Sequence, residues 1–192
     1  MTNVDQSTFI KAFENNGYDA PNDTQYYYFK NGISFGGFTT KRELAMFVAQ
    51  IMHESGGLKY KEELACVGNK CSQYGVLNGK QFYGRGYIQL TWIDNYREAS
   101  KALCPEDPEK LLRNPELVAE EEYAWKTAFW FWKKNVHNKP GVQNGLFGAS
   151  TKAINGAIET NPNHPQAKHR FELYKNVFKA FGINEIPDDR FN

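Results

Sequence analysis

The sequence predicts a mainly α fold, and three observations predict it. Apolar residues recur at helical spacing, most clearly Leu44, Phe47, Val48, Ile51 and Met52 at i, i+3, i+4, i+7 and i+8. Helix start and stop residues bracket that window and several others. Strand signal is weak throughout, with FYGRGYIQL (82–90) the best candidate for a short extended piece.

Taken in order, Ser7 and Thr8 can cap a first helix that turns Phe9, Ile10 and Phe13 inward and stops near Gly17. A second short helix covers 26–29, after Pro21. The third is KRELAMFVAQIMHES, ended by Gly56-Gly57. A fourth occupies 94–103 and stops before Pro105. Asn114, Pro115 and Glu116 read as an N-cap, a first-turn proline and a dipole-favoured acid. They open one helix running through Leu117, Ala124, Trp125, Ala128, Phe129 and Trp132. Another spans 150–158, and the last runs over 165–181 with Gly182 as its stop. The connections are rich in Gly, Asn and Pro, with no repeat and no inter-domain linker, so residues 1–192 read as a single catalytic domain.

Composition narrows the function. Hydrophobic residues make up 41% and charged ones 23%, so the chain can bury a core rather than remain disordered. A net charge of +1 without a dense basic tract gives no support to binding a nucleic-acid backbone. No apolar run is long enough to span a membrane, so no membrane partner is expected. MTNVDQSTFIK does not read as a signal peptide, which fits either a protein not exported by that route or a mature or recombinant form. If the protein is exported, Asn22-Asp23-Thr24 is a glycosylation acceptor. Aromatic residues reach 15%, enough to fill a core and also to offer flat rings to sugars. Cys66 and Cys71 are close enough to close a small loop, leaving Cys104 free; three reduced thiols are the equal alternative. The three cysteines do not have a zinc-ligand spacing, and no metal or cofactor is called for.

Chemistry concentrates in HESGGLKYKEE (53–63). Glu54 lies three residues past Ile51 and seven past Phe47, hence on the apolar stripe and at the helix C-terminus. Burial and the helix dipole both favour a neutral carboxyl there, as a general acid requires. An inert helix-terminal glutamate bonded to His53 or Arg85 is the plainer alternative. Gly56-Gly57 then reverses the chain and returns Glu62 and Glu63 past the helix end, where Lys59, Lys61 and Lys70 would keep a glutamate ionised. One neutral acid and one ionised base flanking a cleft suit glycoside hydrolysis. The next stretch, FYGRGYIQLTWIDNY, crowds amides, hydroxyls and rings together as a sugar site would. It lacks the third glycine of a dinucleotide motif, and HESGG lacks the second histidine of a zinc peptidase.

HESGG, YGRGYIQLTW with NY, WKTAFWFW and INGAIE together resemble the signature blocks of glycoside hydrolase family 19 chitinases, in order and spacing from about Phe9 to Phe181. The resemblance implies a lysozyme-like, mainly α fold of two lobes around a cleft. It implies an endo-acting, inverting enzyme that cleaves β-1,4 links between N-acetylglucosamine units in chitin or its oligosaccharides. An inverting pair is separated by roughly 6.5–9.5 Å to admit a water. By the same resemblance Glu54 matches the general acid, Glu63 the general base of the short-loop bacterial type (with Glu62 as fallback), and Thr91 the hydroxyl beside the attacking water. His53, Tyr83, Gln89, Trp92, Asn95, Lys126 and Asn155 match substrate-binding or cleft positions, and Arg170 matches an arginine that organises the base. Tyr87 replaces the usual proline and Asp94 a frequent aromatic, and both are expected to line or shape the cleft. The short segment between the glutamates implies a cleft open at its ends. A monomer acting outside the cell is expected. A peptidoglycan-cleaving endolysin of the same superfamily and a non-catalytic chitin-binding protein are the rival readings.

Overall fold

The computed structural model describes residues 2–156 and 160–192. Its helices are α1 (Gln6–Glu14), α2 (Asp23–Gly32), α3 (Lys41–Ser55), α4 (Ile93–Leu103), α5 (Lys110–Arg113), α6 (Glu121–Phe131), α7 (Phe147–Asn155) and α8 (Pro165–Ala180). Among the described residues, strand is limited to one antiparallel hairpin, β1 (Val76–Leu77) and β2 (Lys80–Gln81), and a few isolated bridges. No helix among them is long and apolar enough to cross a membrane.

α3 is the hub. Thr40 caps it by accepting the Glu43 N–H at 3.1 Å, and Gly56 ends it in the left-handed region at φ 58. Almost every α3 residue between these ends is buried because neighbours cover it on several sides, above all α8 along its length. Phe47 stacks on Phe129 with ring centroids 4.7 Å apart and meets Trp132 edge-on at 5.6 Å. Phe9 and Phe29 extend this aromatic core, stacked at 4.2 Å, with Trp125 against both. Most of the chain's rings therefore serve packing; Tyr27, Phe35, Tyr60 and Trp92 are the large rings left exposed.

Several expected boundaries shift for local reasons. Asp5, not Ser7 or Thr8, caps α1, accepting the Thr8 N–H at 2.8 Å, and Ile10 is only half-buried. Asn22 caps α2 through a reciprocal box with Gln25. The single helix expected from Asn114 to Trp132 is broken. Pro115–Ala119 is a 3-10 turn, Glu120 is extended (φ −85, ψ 149), and α6 begins only at Glu121. Asn114 does not cap it, because its side chain turns back to the Lys110 carbonyl of α5 at 3.3 Å. α7 starts three residues earlier than expected and ends at Asn155; Ile158 lies outside the described residues. FYGRGYIQL is not a strand but a tight loop held by single bridges, Glu62 to Arg85 and Arg85 to Leu90. The hairpin sits before it, on Asn78 and Gly79 at φ 49 and 75, the Asn-Gly pair that favours a two-residue turn.

Candidate active site

The last turn of α3 carries Glu54 to the surface of the core. Its Oε1 lies 2.7 Å from Nη2 of Arg170, a side chain of α8 that is only 2% exposed. Arg170 Nη1 donates to Gln50 Oε1 at 2.7 Å, and Gln50 Nε2 in turn donates to the Ser150 and Thr151 hydroxyls of α7 at 2.9 and 3.0 Å. Gln50 lies one turn before Glu54 on the same face of α3. A polar chain thus links α3, α7 and α8 at the carboxylate, and the cation in it is a partner that periodicity does not reveal. Beside it His53 Nδ1 lies 2.9 Å from His169 Nδ1.

Gly56 and Gly57 (φ 58 and 74) turn the chain back, and a Cβ on Gly57 would stand 2.4 Å from the Tyr18 ring. The returning segment presents Glu63. Its Oε2 accepts the Gly84 N–H at 3.2 Å and its Oε1 accepts the Tyr74 hydroxyl at 3.4 Å. Gly84 must be small: a Cβ there would lie 2.8 Å from Gln89 Oε1 and 3.3 Å from Glu63 Oε2, so these two side chains converge on it. Two of the three lysines expected beside this glutamate are engaged elsewhere. Lys61 pairs with Glu121 at 3.0 Å, Lys59 covers the Tyr60 ring, and Lys70 is exposed. Glu62 faces the other way, 3.7 Å from Nε of the buried Arg85.

A groove of about 270 Å³ is lined by Glu54 with the polar or aromatic Gln89, Thr91, Trp92, Asn95 and Asn155 and the apolar Ile88, Leu90, Phe131 and Ile154. The Thr91 hydroxyl donates to the Gln89 carbonyl at 2.8 Å, which leaves its oxygen able to accept, and Asn95 Nδ2 donates to the Thr91 carbonyl at 2.8 Å. Gln89 and Trp92 hold positive φ, 55 and 78, a strained backbone of the kind that clusters at working sites. A larger cavity of about 680 Å³ lies between α7, α8 and the C-terminal tail. Its walls lack the convergence of amides, hydroxyl and indole seen over Glu54, so the smaller groove is the better candidate.

Of the residues singled out from sequence, Glu54, Gln89, Thr91, Trp92, Asn95 and Asn155 meet on this groove. Arg170 reaches Glu54, the acid candidate, rather than organising Glu63. Tyr83 is 5% exposed and packs on Cys66 and Cys71 with the Arg85 guanidinium 3.7 Å over its ring, away from the groove wall. Lys126 pairs with Glu122 at 2.5 Å along α6 and does not line the groove. Tyr87 is a core residue: its ring meets Trp125 edge-on at 4.9 Å and its hydroxyl donates to Glu121 at 2.6 Å. Burial, and then that carboxylate, push its phenol well above the usual tyrosine range. Asp94 is solvated and paired with Arg97 on α4. Cys66 and Cys71 are disulfide-bonded and Cys104 is free and buried, so the two sulfurs beside Glu63 offer no thiolate to a metal. Tyr74, Gly84 and Gln50 were missed. Gln50 had a signal, a polar residue interrupting an apolar run one turn before Glu54, whereas Tyr74 had none.

Comparison with known proteins agrees with the fold. The family model for glycoside hydrolase family 19, described as chitinase class I, matches residues 6–151. The acidic endochitinase SP2 of Beta vulgaris is 43% identical over 152 residues, covering 74% of this chain and 50% of its own length. Endochitinase A of Zea mays is 35% identical over 165 residues, covering 82% and 56%. The chain spans about half the length of the curated relatives it matches. Among solved structures, chitinase C of Streptomyces griseus HUT6037 superposes with a TM-score of 0.74 at 28% identity, covering 97% of this chain and 79% of that one. A bacterial family 19 chitinase gives a TM-score of 0.71 at 25% identity, covering 97% and 98%.

Proposed function

The chain belongs to glycoside hydrolase family 19 and has its mainly α, lysozyme-like fold; from that membership we propose that it is an endo-acting chitinase working by inversion. The observation that carries the reading is the groove itself, lined by Glu54 among amides, a hydroxyl and an exposed indole, with Glu63 and Gln89 both packed against Gly84. The endo assignment draws on relatives named endochitinases and on the short return from Glu54 to Glu63, which leaves the groove without a long covering loop.

In this reading a polymer of β-1,4-linked N-acetylglucosamine lies along the groove with Trp92 under one sugar face. Gln89, Asn95 and Asn155 hydrogen-bond its hydroxyl and acetamido groups. Glu54 gives its proton to the glycosidic oxygen as the bond to the anomeric carbon breaks. Arg170, 2.7 Å away, stabilises the carboxylate that remains. A water on the opposite face loses its proton to Glu63 as it attacks, with the Thr91 oxygen as a second acceptor, so the configuration inverts. The Cys66–Cys71 bridge suits an oxidising compartment and supports action outside the cytosol.

Replacing Glu54 by Gln tests this reading. Reducing-sugar release from chitin oligosaccharides should fall by about a hundredfold or more while oligosaccharide binding persists. Turnover near wild type would remove Glu54 from the mechanism.

A further inference from the structure

The Glu63 carboxylate is held at both oxygens by groups of different character. The Gly84 N–H at 3.2 Å on Oε2 is backbone and fixed by the loop. The Tyr74 hydroxyl at 3.4 Å on Oε1 is a side chain, half-buried and backed by the Cys66, Cys71 and Tyr83 cluster. Cys66 follows Glu63 by three residues and Cys71 precedes Tyr74 by three, so the disulfide ties the two partners into one small loop. The Tyr74 ring also meets Trp92 edge-on, centroids 5.1 Å apart and planes at 89°. Trp92 is 53% exposed on the groove wall, with its backbone strained at φ 78. Carboxylate, phenol and indole therefore form a continuous path from the groove to Glu63.

We propose that Tyr74 is a positioning residue: its hydroxyl sets the orientation of the Glu63 carboxylate, and its ring couples that orientation to a sugar stacked on Trp92. This rests on the reading of Glu63 as the base. A flexible glutamate samples several rotamers, and only those aiming a lone pair at the attacking water are productive. Two donors on two oxygens select one rotamer. The sugar on Trp92 confines the indole, which confines the ring that carries one of those donors. Tyr74 does not line the groove, so its effect falls on turnover rather than on affinity. A mere prop for the disulfide would need the ring and not the hydroxyl.

The test is a double-mutant cycle on a chitin oligosaccharide, using Tyr74→Phe, Glu63→Ala and the pair, with thermal melts of each. Tyr74→Phe keeps the ring contact with Trp92 and the disulfide, so its melt should match wild type. Its kcat should fall by about three- to tenfold, the scale of one ordinary hydrogen bond, as suits a contact of 3.4 Å, with KM nearly unchanged. In the Glu63→Ala background, read on the residual or azide-supported rate, the same change should have no further effect. Tyr74→Leu, which also loses the ring, should add a rise in KM through Trp92. A wild-type kcat in Tyr74→Phe overturns the inference, and so does an equal loss in both backgrounds. If Glu63→Ala itself turns over normally, the assignment of the base is what fails, and the single mutant alone reports that.

Discussion

Arg170→Met should be among the most damaging substitutions in the chain. The guanidinium is 2% exposed, touches Glu54 Oε1 at 2.7 Å and donates to Gln50 Oε1 at 2.7 Å. A methionine fills much of its volume but leaves the Glu54 carboxylate, 19% exposed, without that cation, and the buried Gln50 oxygen without that donor. Removing one partner of a buried pair costs about 3–5 kcal/mol, and the residual exposure of Glu54 argues for about 3. For a domain of this size that lowers Tm by about 6–12 °C. Differential scanning calorimetry at neutral pH measures it. Arg170→Lys should lose less, keeping the charge without the two-pronged geometry. Because much of the cost is an uncompensated carboxylate, Glu54→Gln combined with Arg170→Met should be less destabilising than the sum of the two by about 1 kcal/mol or more. A Tm drop below about 2 °C would refute the reasoning, as would strict additivity.

Glu63→Ala should lose most activity on chitin oligosaccharides, with partial recovery by azide, whereas Glu62→Ala keeps most of it because Glu62 faces Arg85 at 3.7 Å; the opposite ranking would move the base to Glu62. Burial raises the phenols of Tyr87, Tyr96 and Tyr174 above the usual tyrosine value. Each keeps in the folded state a proton that the unfolded chain gives up near pH 10, so their contribution is complete below about pH 10 and is lost as pH rises further. Absorbance titration near 295 nm should then show three of the 11 tyrosines ionising only as the protein unfolds, and a smooth titration of all of them in the folded state would contradict it. Without reductant, thiol titration should find none in the native protein and one, Cys104, after denaturation, while reduction of the six-residue loop should cost about 2 kcal/mol; three thiols without reductant would exclude the bridge.

What could be read from the sequence follows the range of the forces involved. α3 was legible because its apolar period, its cap and its double glycine are all local signals in agreement. Glu54 was legible with it, since a carboxylate on an apolar stripe is visible from spacing alone. The motif FYGRGYIQLTW put Gln89, Thr91 and Trp92 near one another through proximity in the chain, and they do share the groove. The break at Glu120 was hidden, because Asn114 spends its side chain on α5, a helix of four residues too short to show a period. The partner of Glu54 was hidden as well: Arg170 is far along the chain, and nothing local says which carboxylate a buried guanidinium will meet. Tyr83, Tyr87 and Lys126 look like cleft residues by their neighbours in sequence, yet packing turns Tyr83 to the disulfide, Tyr87 to Trp125 and Lys126 to Glu122. Side-chain direction is decided by tertiary contacts, which a single sequence carries only indirectly. The Asn78-Gly79 hairpin is the reverse case, a strong local signal passed over beside the richer motif that follows it.

In the proposed reaction Glu54 and Glu63 cleave β-1,4 links between N-acetylglucosamine units in a single displacement. Early-time proton NMR of a chitin oligosaccharide incubated with the protein tests it directly, because the new reducing end is read before it mutarotates. The α-anomer should dominate the first spectra, with no signal growth when Glu54→Gln replaces the wild type. A dominant β-anomer would contradict the single displacement, and intact substrate with correctly folded wild-type protein would contradict the activity itself.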